Sequence, residues 1–102
     1  MRFQYDDNAG DDDKLFIIES DSGRYEWTIH GTTSDFNSVS RHIREGKDYI
    51  TAGISSNLPV FWVLEHGSLW ILHGDRDSWD FGLNLKPIDV ALLLDAIEAG
   101  PK

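Results

Sequence analysis

The sequence predicts an α+β fold, an antiparallel β-sheet of about five to seven strands with two α-helices packed on it. Three observations carry this. Short apolar or alternating segments recur between turn residues along most of the chain. Apolar residues take helical spacing in two places, at Phe36, Val39 and Ile43 and at Val90, Leu93, Leu94 and Ile97. Tight turns at Gly23 and Gly67 send the chain back on itself as hairpins. With 102 residues and no internal repeat or linker, residues 1–102 form a single domain.

In order, Arg2 to Tyr5 reads as a strand with Phe3 and Tyr5 on one face. Asp6 to Asp13 holds five carboxylates in eight residues and reads as a solvated loop, because such a run cannot bury itself. Lys14 to Glu19 is an apolar strand covered on both faces. After the turn Asp21-Ser22-Gly23-Arg24 it pairs with Tyr25 to His30, where Tyr25, Trp27 and Ile29 alternate with polar residues. Ser34 or Asp35 caps a first helix, Asp35 to Glu45, whose exposed face carries the basic residues Arg41, His42 and Arg44. Gly46 ends it.

Lys47 to Ser55 holds a short strand. Pro59 opens the strongest one, Val60 to Glu65, apolar on both faces and therefore central. His66-Gly67-Ser68 turns the chain into its antiparallel partner, Leu69 to His73. Beyond the turn Gly74-Asp75-Arg76-Asp77, Ser78 to Lys86 alternates, with Trp79, Phe81, Leu83 and Leu85 on one side. Pro87 starts the last helix, Asp89 suits its positive end, and Gly100-Pro101 stops it. Its apolar residues, Ile88, Ala91, Leu92 and Ala96 included, exceed one face; Leu92 and Leu94 cannot both meet the same core.

Composition excludes several classes of function. Aromatic residues make up 12% of the chain, more than a disordered segment carries. Asp and Glu outnumber Lys and Arg by 18 to 9, a net charge of -9, which disfavours direct contact with nucleic acid. With no cysteine there is no disulfide, thiolate metal site or thiol nucleophile. No apolar run approaches the roughly 20 residues a membrane span requires, and the N-terminus turns acidic at once, so a cytoplasmic protein is expected.

No motif points to catalysis, a metal or a cofactor. Asp6, Asn8 and Gly10 alternate as in a calcium loop, but glycine holds the third ligand position and no Glu closes the loop. His66 and His73 flank turns, each near a carboxylate, without the third ligand a zinc site requires. Gly53-Ile54-Ser55-Ser56 is not a nucleophile elbow, and no glycine-rich phosphate loop is present. The chain is therefore expected not to be an enzyme.

The informative features are charge and indoles. Trp27, Trp62, Trp70 and Trp79 fall on four expected strands, and helices on one side of a sheet leave aromatic side chains on the other. Carboxylates gather in the first 26 residues and again at Asp75, Asp77 and Asp80. An acidic rim around aromatic anchors fits a basic partner, with Asp11, Asp12, Asp13, Asp75, Asp77 and Asp80 supplying charge and Trp62 or Trp79 the anchor. In size, charge, missing cysteines and aromatic content (Asp11-Asp12-Asp13, Trp70, Asp75-Arg76-Asp77, Trp79) the chain resembles the small acidic immunity proteins of bacterial toxin systems. The resemblance implies a binding protein that occludes a basic toxin or nuclease. Three other readings stay open: a nucleic-acid mimic that blocks a DNA- or RNA-handling protein, a homodimeric structural or regulatory subunit joined through the C-terminal helix, and a small enzyme with a carboxylate–histidine site.

Overall fold

The structure of the protein, a computed structural model, describes residues 1–6, 14–47, 49–74 and 80–100. Its elements follow the order the sequence predicts: β1 (Arg2–Asp6), β2 (Lys14–Glu19), β3 (Glu26–Gly31), α1 (Thr33–Glu45), β4 (Tyr49–Ser55), β5 (Leu58–Glu65), β6 (Ser68–His73), β7 (Phe81–Leu85) and α2 (Pro87–Ala99). The seven strands form one antiparallel sheet in which spatial order equals chain order.

Register explains which side is buried. Tyr5, Phe16 and Ile29 oppose one another across β1, β2 and β3, as do Phe3, Ile18 and Trp27. Across β5, β6 and β7 the matching rungs are Val60–His73–Phe81, Trp62–Ile71–Leu83 and Leu64–Leu69–Leu85. These residues share the inner face, where most of them join Phe36 and Val39 of α1 and Val90, Leu93, Leu94 and Ile97 of α2 in one core. Each fully buried aliphatic or aromatic side chain contributes roughly 1.5–3 kcal/mol.

The first helix starts two residues earlier than the pattern of apolar residues suggests. Thr32, rather than Ser34 or Asp35, is its N-cap: Asp35 N donates to Thr32 Oγ1 at 3.0 Å and Thr32 N donates to Asp35 Oδ2 at 2.9 Å. This reciprocal pair satisfies two amides that a helix start leaves open. At the other end Lys47 N donates to His42 O and Gly46, at φ 69°, to Ile43 O. The two helices are tied by Arg44, whose Nε and Nη2 donate to both Glu98 carboxylate oxygens, and by Ser40 Oγ, which donates to the same group. Arg44 first, and Ser40 more weakly, hold the Glu98 carboxyl below its ordinary pKa, against the opposing effect of burial.

The sheet is bent. β4 carries an irregularity between Thr51 and Ile54, with Gly53 at φ +83°. Strand twist and this bulge curl the sheet until β3 and β7, which are not neighbours, touch through Trp27 and Phe81. α2 packs on β1, β6 and β7 across the opening of the curl.

Trp62 does not anchor a surface contact. It is 1% exposed, lies on the helix-covered face, and its Nε1 donates to Ala52 O at 2.9 Å. Strand periodicity assigns 60, 62 and 64 to one side of β5 and 61 and 63 to the other, and the core took the first set. On the outer face of the sheet Phe61 is buried opposite Leu72, while Trp70, opposite Val63 and Asn84, is 38% exposed. No helix among the described residues is long and apolar enough to cross a membrane.

Candidate functional site

The curl of the sheet creates an aromatic cleft where the start of β3 approaches β7. Its cavity measures about 480 Å³ and is walled by Tyr25, Trp27, Phe81, Leu83, Ile18 and Met1, with Ser20, Arg24 and Glu26 at the margin. That volume and its mainly apolar lining lie within the range of sites that hold a small ligand or one large side chain. Trp27 and Phe81 meet edge to face, with centroids 4.8 Å apart and planes at 75°, so two walls stand nearly perpendicular. Tyr25 is 76% exposed and Phe81 44%, unusual exposure for rings beside a cavity.

The floor is pinned by polar groups. Trp27 Nε1 donates to Ser55 Oγ at 2.9 Å, which fixes the indole of β3 against the end of the neighbouring strand β4. His73 stands edge-on to both rings, 6.2 Å from Trp27 and 6.4 Å from Phe81. Its Nε2 lies 2.6 Å from Ser55 O and its Nδ1 2.9 Å from Asp80 Oδ1. Both of these partners can accept, so the two contacts favour the protonated ring, which can donate to each. The Ser55 carbonyl, and then Asp80, raise its pKa, while burial opposes them.

Through these two contacts His73 ties β6 to the end of β4 and to the start of β7. His66 occupies an exposed turn at φ 52°. Among the described residues no three His, Asp or Glu side chains converge as metal ligands.

Of the residues the sequence marks for partner contact, Asp80 lies next to the cleft without lining it: its side chain is 64% exposed, it precedes Phe81, and it pairs with His73. Asp11, Asp12, Asp13, Asp75, Asp77 and Trp79 lie outside the described residues, as does most of the acidic segment with its calcium-like alternation. Charges around the cleft nearly balance. Arg24 and Glu26 both line the margin, and the Met1 amine lies 2.6 Å from Asp21 and 3.7 Å from Asp89. The site is thus apolar at its centre, set in a chain whose surplus charge acts at longer range.

Sequence periodicity places Tyr25 and Trp27 together on the core side of a strand. It does not reveal that the core ends between them, because closure depends on a strand more than fifty residues away. The one local signal is Tyr25 beside the Gly23 turn, at the strand end where cover from neighbours is thinnest. None of the protein-family models, curated proteins or solved structures compared with this chain matches it.

Proposed function

We propose that the protein is a small binding protein of the immunity type, which neutralises a basic protein such as a toxin or nuclease by docking on it. The single observation that carries this reading is the aromatic cleft: exposed Tyr25 and Phe81 beside a cavity whose walls are fixed by Trp27. Interfaces concentrate their energy in a few buried aromatic or aliphatic anchors seated in pockets. The cleft receives such an anchor from the partner, and Tyr25 closes over it.

Charge plays a separate part. At -9 on a 102-residue chain, the field draws a basic partner and speeds encounter without having to form pairs inside the cleft. This division replaces the expectation that Trp62 sits among carboxylates as the anchor.

The test is affinity capture from the native host with the wild-type chain and with Tyr25→Ser, a change at a side chain too exposed to bear on folding. Support is a basic protein retained by the wild type, released by added salt and lost with Tyr25→Ser. Retention of the same protein in equal amount by both forms contradicts a role for the cleft.

A further inference from the structure

A second groove, independent of the aromatic cleft, lies along the open edge of the sheet. β1 ends the strand order and pairs with β2 on one side. Among the described residues no backbone hydrogen bond reaches its other edge. A cavity of about 500 Å³ runs beside that edge, between Arg2–Tyr5 and the α2 residues Leu92, Ala96 and Ala99.

α2 is apolar on two sides. Val90, Leu93, Leu94 and Ile97 enter the core, while Ile88, Leu92 and Ala99, spaced i, i+4 and i+11, form a stripe on another side, with Ala96 at the border between the stripe and the core. Ile88 is 73% exposed and Leu92 46%. A free strand edge next to an exposed apolar helix stripe is an aggregation hazard unless something covers it.

The sequence of β1 points to what covers it. Arg2-Phe3-Gln4-Tyr5-Asp6 is complementary to itself when paired antiparallel about Gln4: Arg2 falls opposite Asp6 of the second copy, and Phe3 opposite Tyr5. Parallel pairing in register sets like charges side by side instead. We propose that this edge is a homodimer interface, in which β1 of two copies pair antiparallel about a two-fold axis through Gln4. An axis perpendicular to the sheet keeps the helices of both copies on one side. The two α2 stripes then face each other over the new strand pair, where Ala96 and Ala99 leave room for close approach.

Sedimentation velocity and light scattering on the full chain, from micromolar to millimolar concentration, test this. The wild type is expected to shift from monomer to dimer as concentration rises. Asp6→Arg is expected to weaken the dimer about tenfold, and Arg2→Asp combined with Asp6→Arg to restore it. Leu92→Asp, at an exposed helix position, is expected to leave a folded monomer by circular dichroism. A wild type that stays monomeric throughout overturns the proposal, including one that instead captures an extended peptide from another protein. So does a dimer indifferent to all of these substitutions.

Discussion

Trp27 of β3 and Phe81 of β7 meet edge to face at 4.8 Å although the two strands share no ladder in the sheet. The contact marks the seam where an open meander folds toward itself. Four groups hold it: the two rings, the Ser55 hydroxyl under Trp27, and His73 between them. An open cleft remains beside the seam, walled by Tyr25, Ile18 and Leu83 as well as the two rings.

Structural and surface roles at the seam separate by substitution. Trp27→Ala removes a half-buried indole and its hydrogen bond to Ser55, and is expected to cost about 2–4 kcal/mol in urea denaturation. Tyr25→Ser, at a ring 76% exposed, is expected to stay within about 0.5 kcal/mol of the wild type. Equal losses at the two positions mean that Tyr25 is a packing residue and not an open wall of the cleft.

The His73 pin makes stability depend on pH. Its folded pKa is raised above the ordinary 6.5, chiefly by the Ser55 carbonyl. A raised histidine stabilises the fold fully below its unfolded pKa, and that stabilisation fades as pH rises through the folded value. The stability difference between the wild type and His73→Gln is therefore expected to be largest below pH 6.5 and to shrink toward alkaline pH. Titration of the ring by NMR checks the cause; an ordinary or lowered pKa for His73 contradicts the double hydrogen bond.

Much of the fold is legible along the chain. Hairpin turns at Gly23 and Gly67 and the two helical stripes give the element order and the antiparallel sheet directly, because each depends on neighbours in sequence. Trp62 and Trp27 show where legibility stops. Val60-Phe61-Trp62-Val63 is apolar at every position, so alternation cannot say which set faces the helices. Trp27 lies on the correct face by period, yet its environment is set by curl, which depends on a bulge at Gly53 and on contact with Phe81. The N-cap is ambiguous in the sequence for a related reason: Thr32, Thr33, Ser34 and Asp35 all have capping side chains, and the reciprocal bond with Asp35 selects the first.

Gly53 carries the bend. A Cβ there would lie 2.6 Å from Ile29 Cγ2, a fully buried side chain, and 3.1 Å from His30 O, on a backbone at φ +83°. Gly53→Ala is expected to cost at least about 2 kcal/mol, from the left-handed backbone and the clash together. Gly46→Ala serves as the comparison: φ is +69°, no atom lies within 4 Å, and about 1 kcal/mol is expected from the backbone alone. Equal melting of the two variants contradicts the tight approach of β3 and β4 at Gly53.

Tyr5 carries the reverse expectation. Its buried hydroxyl has no hydrogen-bond partner among the described residues, while its ring packs edge-on to Phe16 and Phe36. Tyr5→Phe keeps the packing and removes the uncompensated polar group, so it is expected to leave stability unchanged or raise it by about 1 kcal/mol at neutral pH. Burial, and then the charge of Asp35, push the phenol pKa above its ordinary 10. The neutral form is the one the fold accepts, so the wild type loses stability as pH rises past 10 and Tyr5→Phe does not lose this part. Thermal melts across that range decide it, and a destabilised Tyr5→Phe at neutral pH points to a hydrogen bond made by the hydroxyl.

Docking through the aromatic cleft is tested most directly by site-specific photo-crosslinking in the native host, with a photoreactive phenylalanine analogue at position 25, at position 81, or at the exposed helix position Arg41 as control. The predicted result is one basic protein joined from positions 25 and 81 and not from 41. A partner joined from position 41 alone, or no adduct from either cleft position, contradicts it.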